Sequence, residues 1–353
     1  MAKMNFPLVS VLILTYNRAD LLKTALSSAL KSDYPNLEFI VVDNESSEDI
    51  SGFVKKTFPK DKVKVVRLKK NKGLTGGFNF GFKYCQGKYT MLLCNDTKID
   101  KKAVTLMVKI MEKDSQLGMV VPKVIQMRKP TELHSAGGFV TIYGMLYHYG
   151  VYQNKHDKKY QKIYYVFTGT GAGYLIKTFV GKTVGLYDDD FYIAYDDIDL
   201  CHKIWLSGYK IVYCPKAELL HYWSATLNAS APKLWYWAHR NGISSYIQNL
   251  SLPYLFIILP MLFLCYGVLF AERIIKRKFG VALSIPSAYI WHIFNIRKTL
   301  KKRNIIQREI RKVSDGEIFK YTMVNPGWRY YLISWNRRFD DVELPERVLY
   351  FDK

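Results

Sequence analysis

The 353 residues are 49% hydrophobic, which excludes wholesale disorder and leaves enough chain for one large domain with an appendage, or for two domains. A formal net charge of +22 implies an anionic partner, with nucleic acid, acidic lipid headgroups and phosphorylated small molecules as the eligible classes. Five cysteines (Cys85, Cys94, Cys201, Cys214 and Cys265) form no close pair, so neither a disulfide framework nor a thiolate zinc site is expected, and a reducing compartment fits.

The first apolar run, Leu8 to Leu14, reads as a strand ending at Thr15 and not as a signal peptide, because a polar turn follows and no small-residue cleavage site does. A helix is expected over roughly Asp20 to Lys31, where Leu21, Leu22, Ala25, Leu26, Ala29 and Leu30 recur at helical spacing. Leu37 to Asp43 is a second strand, closed by Asn44-Glu45-Ser46-Ser47, where a serine can cap a helix reaching to about Phe58; Val63 to Leu68 is a third. Strands alternating with helices at this spacing imply parallel βαβ units in a doubly wound α/β sheet. Thr15, Asn17, Asp43 and Asp96 would then converge on one edge.

Asn71 to Gly81 (NKGLTGGFNFG) is too rich in glycine for an ordinary helix start. Gly73, Gly76 and Gly77 would let the backbone approach a ligand, and the following helix would offer its N-terminus to phosphate; a plain tight connection is the competing reading. It is neither a Walker A loop nor a dinucleotide fingerprint.

Tyr89 to Thr97 (YTMLLCNDT) reads as a central buried strand running into an Asn95-Asp96-Thr97 turn. An aspartate there can ligate a divalent cation, or the turn can satisfy only its own backbone. A helix from about Lys101 to Lys113 and a strand near Met119 to Ile125 follow, and Gly137 to Tyr152 suggests a hairpin or a mobile flap. His134, His148 and His156 suggest no chemistry and are read as ordinary surface or core residues.

Thr168 to Gly173 is a flexible polar turn before an apolar segment. Asp196-Asp197-Ile198-Asp199 opens a helix that stops at Gly208. Acids in a first turn complement the helix dipole, but three in so aromatic a setting should raise at least one pKa and make it a usable proton acceptor. A strand over Lys210 to Cys214 leads through Pro215 to His221, which is either structural or a metal ligand.

Taken in order, VSVLILTYNR, VVDNESSED, NKGLTGGFNFG, LLCNDT, the Thr168 to Gly173 turn, VGLYDDDFYIAYDDIDL, GYKIVYCPKAELLHYWS and WYWAHRNG resemble family 2 of the inverting glycosyltransferases, in the rhamnosyltransferase-like branch. The likeness covers residues up to about 250 and implies a GT-A nucleotide-diphospho-sugar transferase fold. It implies that Thr15, Tyr16, Asn17, Asp43, Asn71, Gly73, Asn79, Asn95 and Asp96 bind the nucleotide sugar, Asp43 by accepting from the base edge. By the same likeness Asp96 and His221 hold a divalent cation, Mg2+ or Mn2+, and Asp197 is the general base with Asp196 beside it. Arg240 and Asn241 match a recurrent pair of unassigned role. Two positions depart from the pattern: Cys94 stands where a first metal-binding acid is common, and Asp196 where a glutamate is commoner.

Leu250 to Ala271 carries no charge and is close to the roughly 20 residues of a spanning helix, although Pro253 and Pro260 complicate a straight one. About a dozen Lys and Arg lie between Arg273 and Lys312, beside a second uncharged run from Phe279 to Ile296. Either spanning arrangement offends the positive-inside tendency, so the expectation is a monotopic or re-entrant anchor on anionic lipid at the cytoplasmic face of the membrane, against a buried helical hairpin of a soluble protein. Residues 313–353, with Trp328, Tyr330, Tyr331 and Trp335, should pack back on the enzyme. The expected organisation is 1–249 catalytic, 250–312 membrane-associating and 313–353 tail. The expected partners are a nucleotide-diphosphate sugar, a lipid-linked or glycan acceptor and an anionic membrane surface. Nucleic acid is suggested by charge alone, with no binding motif. An inactive nucleotide-sugar-binding scaffold of a glycan-assembly complex is the alternative, with Cys94 its best support.

Overall fold

The computed structural model describes residues 6–59, 62–223, 231–327, 330 and 341–350. Its first half alternates as expected: β1 (Val9–Thr15), α1 (Ala19–Leu30), β2 (Leu37–Asp43), α2 (Ile50–Thr57), β3 (Val63–Arg67), α3 (Gly73–Phe82) and β4 (Tyr89–Cys94). The apolar, β-branched runs of β1 and β2 are buried on both faces, and β1 pairs in parallel with β2 and β4 while β2 pairs with β3. In-register pairing of Thr15 with Asp43, and of Leu14 with Cys94, brings the carboxyl ends of three strands level.

The second half is mixed. After β5 (Thr97–Ile99) and α4 (Ala103–Lys113) come β6 (Leu117–Gln126), β7 (Leu133–Ser135), the hairpin β8 (Gly138–Val140) and β9 (Leu146–His148), then β10 (Tyr164–Tyr165), β11 (Gly173–Lys177), α5 (Thr178–Thr183), α6 (Asp196–Leu206) and β12 (Lys210–His221). The sheet order is β10-β12-β6-β11-β4-β1-β2-β3, with β11 antiparallel to both β4 and β6. The strand expected over Lys210 to Cys214 runs on to His221: a bulge between Cys214 and Glu218 absorbs Pro215, and the strand then resumes pairing with β6 and β5. That continuation carries His221 to the edge beside Thr97.

The glycine-rich stretch is helix from Gly73 onward, and most of its glycines serve packing. A Cβ at Gly77 would meet the Leu14 side chain at 2.5 Å, and one at Gly81 would meet Val42 at 2.3 Å, so these positions let α3 lie directly on β1 and β2. Gly73 is different: its φ is +70°, and a Cβ would fall 2.3 Å from the Tyr192 carbonyl oxygen.

Beyond the sheet lie α7 (Pro232–Asn249), α8 (Leu252–Ile275), α9 (Phe279–Ile305) and α10 (Asp315–Thr322). Pro253 falls in the first turn of α8, where its missing N–H costs nothing; Pro260 and Pro286 lie within continuous α8 and α9. Both α8 and, with its continuation, α9 are long and apolar enough to cross a membrane by length and composition. They are not a buried hairpin: Phe256 is 75% exposed and Phe294 81%, among a row that includes Ile257, Phe263, Leu264, Leu283 and Ile293. Arg273, counted with the basic flank, is instead buried over the Trp235 ring and paired with Glu272.

In the described part of the tail, Asp341 accepts hydrogen bonds from Tyr147 Oη, Tyr160 Oη and the Gly150 amide, and Tyr330 packs edge-on against Tyr147. Trp328, Tyr331 and Trp335 lie outside the described residues.

Candidate active site

The carboxyl edge of the parallel strands is a wired surface. Thr15 Oγ1 accepts from Asn95 Nδ2 at 2.9 Å and donates to the Asn17 carbonyl. Asn17, in the left-handed region at φ 53°, accepts from the Ser47 amide and hydroxyl, while its own amide donates to Ser46 Oγ. Tyr16, on this edge, is 43% exposed. Asp43 is only 2% exposed: its Oδ1 accepts from the Ser46 amide and its Oδ2 from Arg67 Nη1 at 2.5 Å. The group presented outward beside Asp43 is thus the half-exposed Arg67 guanidinium, a residue that sequence reasoning missed because it is an unremarked strand end.

Asn71 Oδ1 gathers the Gly73 amide, Asn44 Nδ2 and Tyr192 Oη. The amides of Leu74 and Thr75 point to the Tyr192 carbonyl, and that of Lys72 to Asn44 Oδ1. Here the expectation of a phosphate site at the α3 N-terminus is corrected, because its free donors are already taken by protein acceptors. Asn79 is also away from the edge. It sits two turns into α3, donating to the Tyr187 carbonyl and Asp189 Oδ1 and accepting from the Tyr187 amide.

Asp96 and His221 do meet: Oδ1 lies 3.3 Å from Nε2, close to the roughly 3 Å between neighbouring ligands of an octahedral ion with bonds of about 2.1 Å. The other ring nitrogen of His221 lies 2.9 Å from His134 Nδ1, and the His134 ring stacks on both His221 and Trp223. Burial holds His134 far below the usual imidazole pKa, so it is neutral. When His221 donates its Nδ1 proton to His134, its Nε2 is a bare lone pair beside Asp96, the tautomer that ligates metal. One carboxylate and one imidazole, with room for diphosphate oxygens, fit a divalent cation. His134 was read as an ordinary residue; its partner is 87 positions away, and no local pattern betrays it.

Asp197 reaches the same place through Gly171. The Gly171 amide donates to Asp197 Oδ2 at 2.8 Å, while its carbonyl oxygen accepts from Cys94 Sγ at 3.1 Å, two residues from Asp96. Burial, together with the charges of Asp96, Asp196 and Asp197, keeps the Cys94 thiol protonated. Asp196 is buried and pushed up to about 8, first by desolvation and then by the Asp197 charge; desolvation also raises Asp197, against hydrogen bonds from the Gly171 and Ile198 amides. Asp199, the third acid, is structural: it pairs with Lys203 and accepts from Ser245 and Asn249.

The loop before these acids holds Tyr192, Ala194 and Tyr195 at positive φ (62°, 70° and 63°), a conformation costing on the order of 1 kcal/mol or more per residue. Arg240 and Asn241 hold it there. Fully buried Asn241 donates through Nδ2 to the Phe191, Ile193 and Ala194 carbonyls, and Arg240 Nη2 donates to that of Asp190. Arg240 Nε and Nη2 also reach Asn241 Oδ1. From α9, Lys302 pairs with Asp188 and Asp190, and Lys298 with Asp190.

A parallel half-sheet with Asp43, Asn71 and Asp96 along its carboxyl edge, closed by an antiparallel half that returns Asp197 and His221, is the GT-A architecture of nucleotide-diphospho-sugar transferases. Residues 10–181 match the model of Glycosyl transferase family 2. The chain is 27% identical over 212 residues to poly-beta-1,6-N-acetyl-D-glucosamine synthase of Staphylococcus epidermidis, covering 59% of this chain and 48% of the relative. It thus spans about half the length of the curated relatives it matches. Among solved structures it resembles a mannosyltransferase from Pyrobaculum calidifontis in complex with GDP-Man and Mn2+ (TM-score 0.54, 16% identity, 86% of each chain). It also resembles S. aureus TarS 1–349 (TM-score 0.51, 16% identity, 72% of this chain and 70% of that one). GalNAc-T7 with UDP, GalNAc and Mn2+ gives a TM-score of 0.52 at 19% identity, over 62% of this chain and 44% of the other. The similarity to glycosyl transferase family 2 thus lies over residues 10–181, and the fold is that of the GT-A glycosyltransferases.

Proposed function

We propose that the chain transfers a sugar, with inversion, from a nucleotide-diphosphate donor to a hydroxyl of a lipid-linked glycan acceptor. The setting is cell-surface polysaccharide or glycoprotein glycan synthesis at the cytoplasmic membrane face, within the rhamnosyltransferase-like branch. The observation that carries this reading is the Gly171 bridge, which puts Asp197 within one residue's reach of the strand end bearing Asp96.

In this reading Tyr16 stacks on the base, and Thr15, Asn17, Asp43, Asn71, Gly73 and Asn95 shape the nucleoside and phosphate cleft, with Arg67 added to them. Asp96 and His221 hold a divalent cation, which when bound neutralises charge on the departing diphosphate. Asp197 takes the proton of the acceptor hydroxyl, whose oxygen bonds to the anomeric carbon from the face opposite the breaking bond to diphosphate. Asp196, buried and harder to ionise, sits behind it. Residues 1–249 form the catalytic unit; α8 and α9 lay their exposed apolar row into the lipid interface with basic flanks toward anionic headgroups, and 313–353 is a bracing tail.

Asp197→Asn tests this. The variant folds, retains donor binding and transfers nothing; robust transfer would reassign the base, with Asp196 next. A donor-binding scaffold without turnover is the second reading, favoured by Cys94, whose thiol is turned to Gly171 and supplies no second acid for the cation. Donor hydrolysis with added manganese or magnesium separates the two.

A further inference from the structure

The outward face of α3 lies next to the edge described above, which Lys72 meets through its backbone amide on Asn44 Oδ1. Lys72, Gly76, Asn79, Phe80 and Lys83 follow one another at helical spacing and form one wall of a cavity of about 590 Å3. Lys182, Gly185, Asp189 and Tyr192 are on the opposite wall. The volume is that of a small-molecule site. Its charge is lopsided. Lys72, Lys83 and Lys182 have no ion pair among the described residues, whereas Lys88, Lys155, Lys203, Lys298 and Lys302 each have one. The lining carboxylate, Asp189, is turned onto Asn79 Nδ2 at 2.6 Å. Gly76 shapes the wall: a Cβ there would fall 2.6 Å from Lys72 Cβ, so the glycine leaves room for the lysine stem beside it.

We propose that this cavity binds a phosphate-bearing ligand at a site separate from the nucleotide edge, and that the ligand is the phosphorylated portion of the acceptor. Three ammonium groups around one hollow offer nine N–H donors and a net positive field, which suits the clustered oxygens of a phosphate or diphosphate better than a neutral glycan. Position supports the acceptor assignment. Tyr192 is shared between the cavity wall and the α3 N-terminus, and Asp197 follows it by five residues, in the first turn of the helix that the loop held by Asn241 leads into. The acceptor assignment rests on the glycosyltransfer reading; the phosphate site itself does not.

The test is binding of radiolabelled pyrophosphate to the full chain in detergent without divalent metal, where the carboxylate of Asp96 gives phosphate no cation to bind. Wild type should bind, Lys83→Glu/Lys182→Glu should weaken binding by about tenfold or more, and Asp96→Asn should leave it unchanged. Lys83→Gln/Lys182→Gln gives an intermediate loss and covers the case in which reversing two charges disturbs folding. Co-sedimentation with phosphatidylcholine vesicles, with and without a polyprenyl phosphate, separates the sources. Lysine-dependent retention on the phosphate-bearing vesicles marks a lipid-linked ligand, and lysine-dependent pyrophosphate binding without it marks a soluble one. No pyrophosphate binding by wild type, or binding lost in Asp96→Asn but kept in both lysine pairs, overturns the site. Donor binding in the same variants reports separately on the nucleotide edge.

Discussion

Asn241 Nδ2 lies 2.7 Å from the carbonyl oxygen of Ala194, two residues before Asp196 and three before Asp197. The helix α7 thereby sets the backbone that aims the acid pair. Asn241→Ala should remove three hydrogen bonds from a buried loop and release its left-handed residues. The expected result is a fall in kcat of about tenfold or more with donor affinity little changed, read from steady-state kinetics alongside nucleotide-sugar binding. Equal losses in both, or none, would deny the positioning role.

His134 orients His221 by the short contact between their Nδ1 atoms. His134→Ala should weaken cation binding about 10- to 100-fold, measured by manganese titration in the presence of nucleoside diphosphate. His134→Asn should recover part of it, because an amide can still accept the His221 proton. Unchanged manganese affinity in the alanine variant would remove His134 from the site.

Asp196 ties the acid pair to pH. Its folded pKa is raised above the unfolded value, so its contribution to stability is full below the unfolded pKa and is lost as pH rises through the folded one. Asp196→Asn stays neutral throughout. Its melting temperature relative to wild type should therefore improve steadily from about pH 4 to about pH 8 and level off above, as thermal unfolding across that range would show. A constant difference would mean that Asp196 ionises at an ordinary pKa.

The apolar row on α8 and α9 should behave as a lipid contact. Burying one phenylalanine is worth about 1.5–3 kcal/mol, so Phe256→Glu or Phe294→Glu should lower flotation with anionic vesicles by roughly tenfold, more in combination. Wild-type protein that stays soluble at low salt without detergent would contradict the interfacial role.

How much of this was legible beforehand depends on the range of the interactions. The parallel strands could be read because runs such as LEFIVVD and YTMLLC are apolar on both faces and stop at polar turns, so Asp43 and Asp96 could be placed at strand ends from sequence alone. The acids at 196 and 197 stood out because carboxylates are rare among so many aromatics. Glycine misled: Gly77 looks like a ligand-approach residue but is a space for Leu14, and a sequence does not say which neighbour a missing Cβ admits. Asn79 was drawn into the same error. His134, Arg67 and the purpose of Arg240 and Asn241 stayed hidden because each acts on a partner at least 24 residues away.

The salt bridges from Lys298 and Lys302 to Asp188 and Asp190 bear on how the protein can be handled. Truncating after Asn249 to obtain a tractable soluble fragment would strip both lysines from the segment leading into the catalytic loop and leave Asp188 buried beside Gln248 with no cation. Such a fragment would be expected to lose turnover for reasons unrelated to lipid. Recoating the outer faces of α8 and α9 with polar side chains, while keeping both lysines, is the modification that spares the reaction machinery.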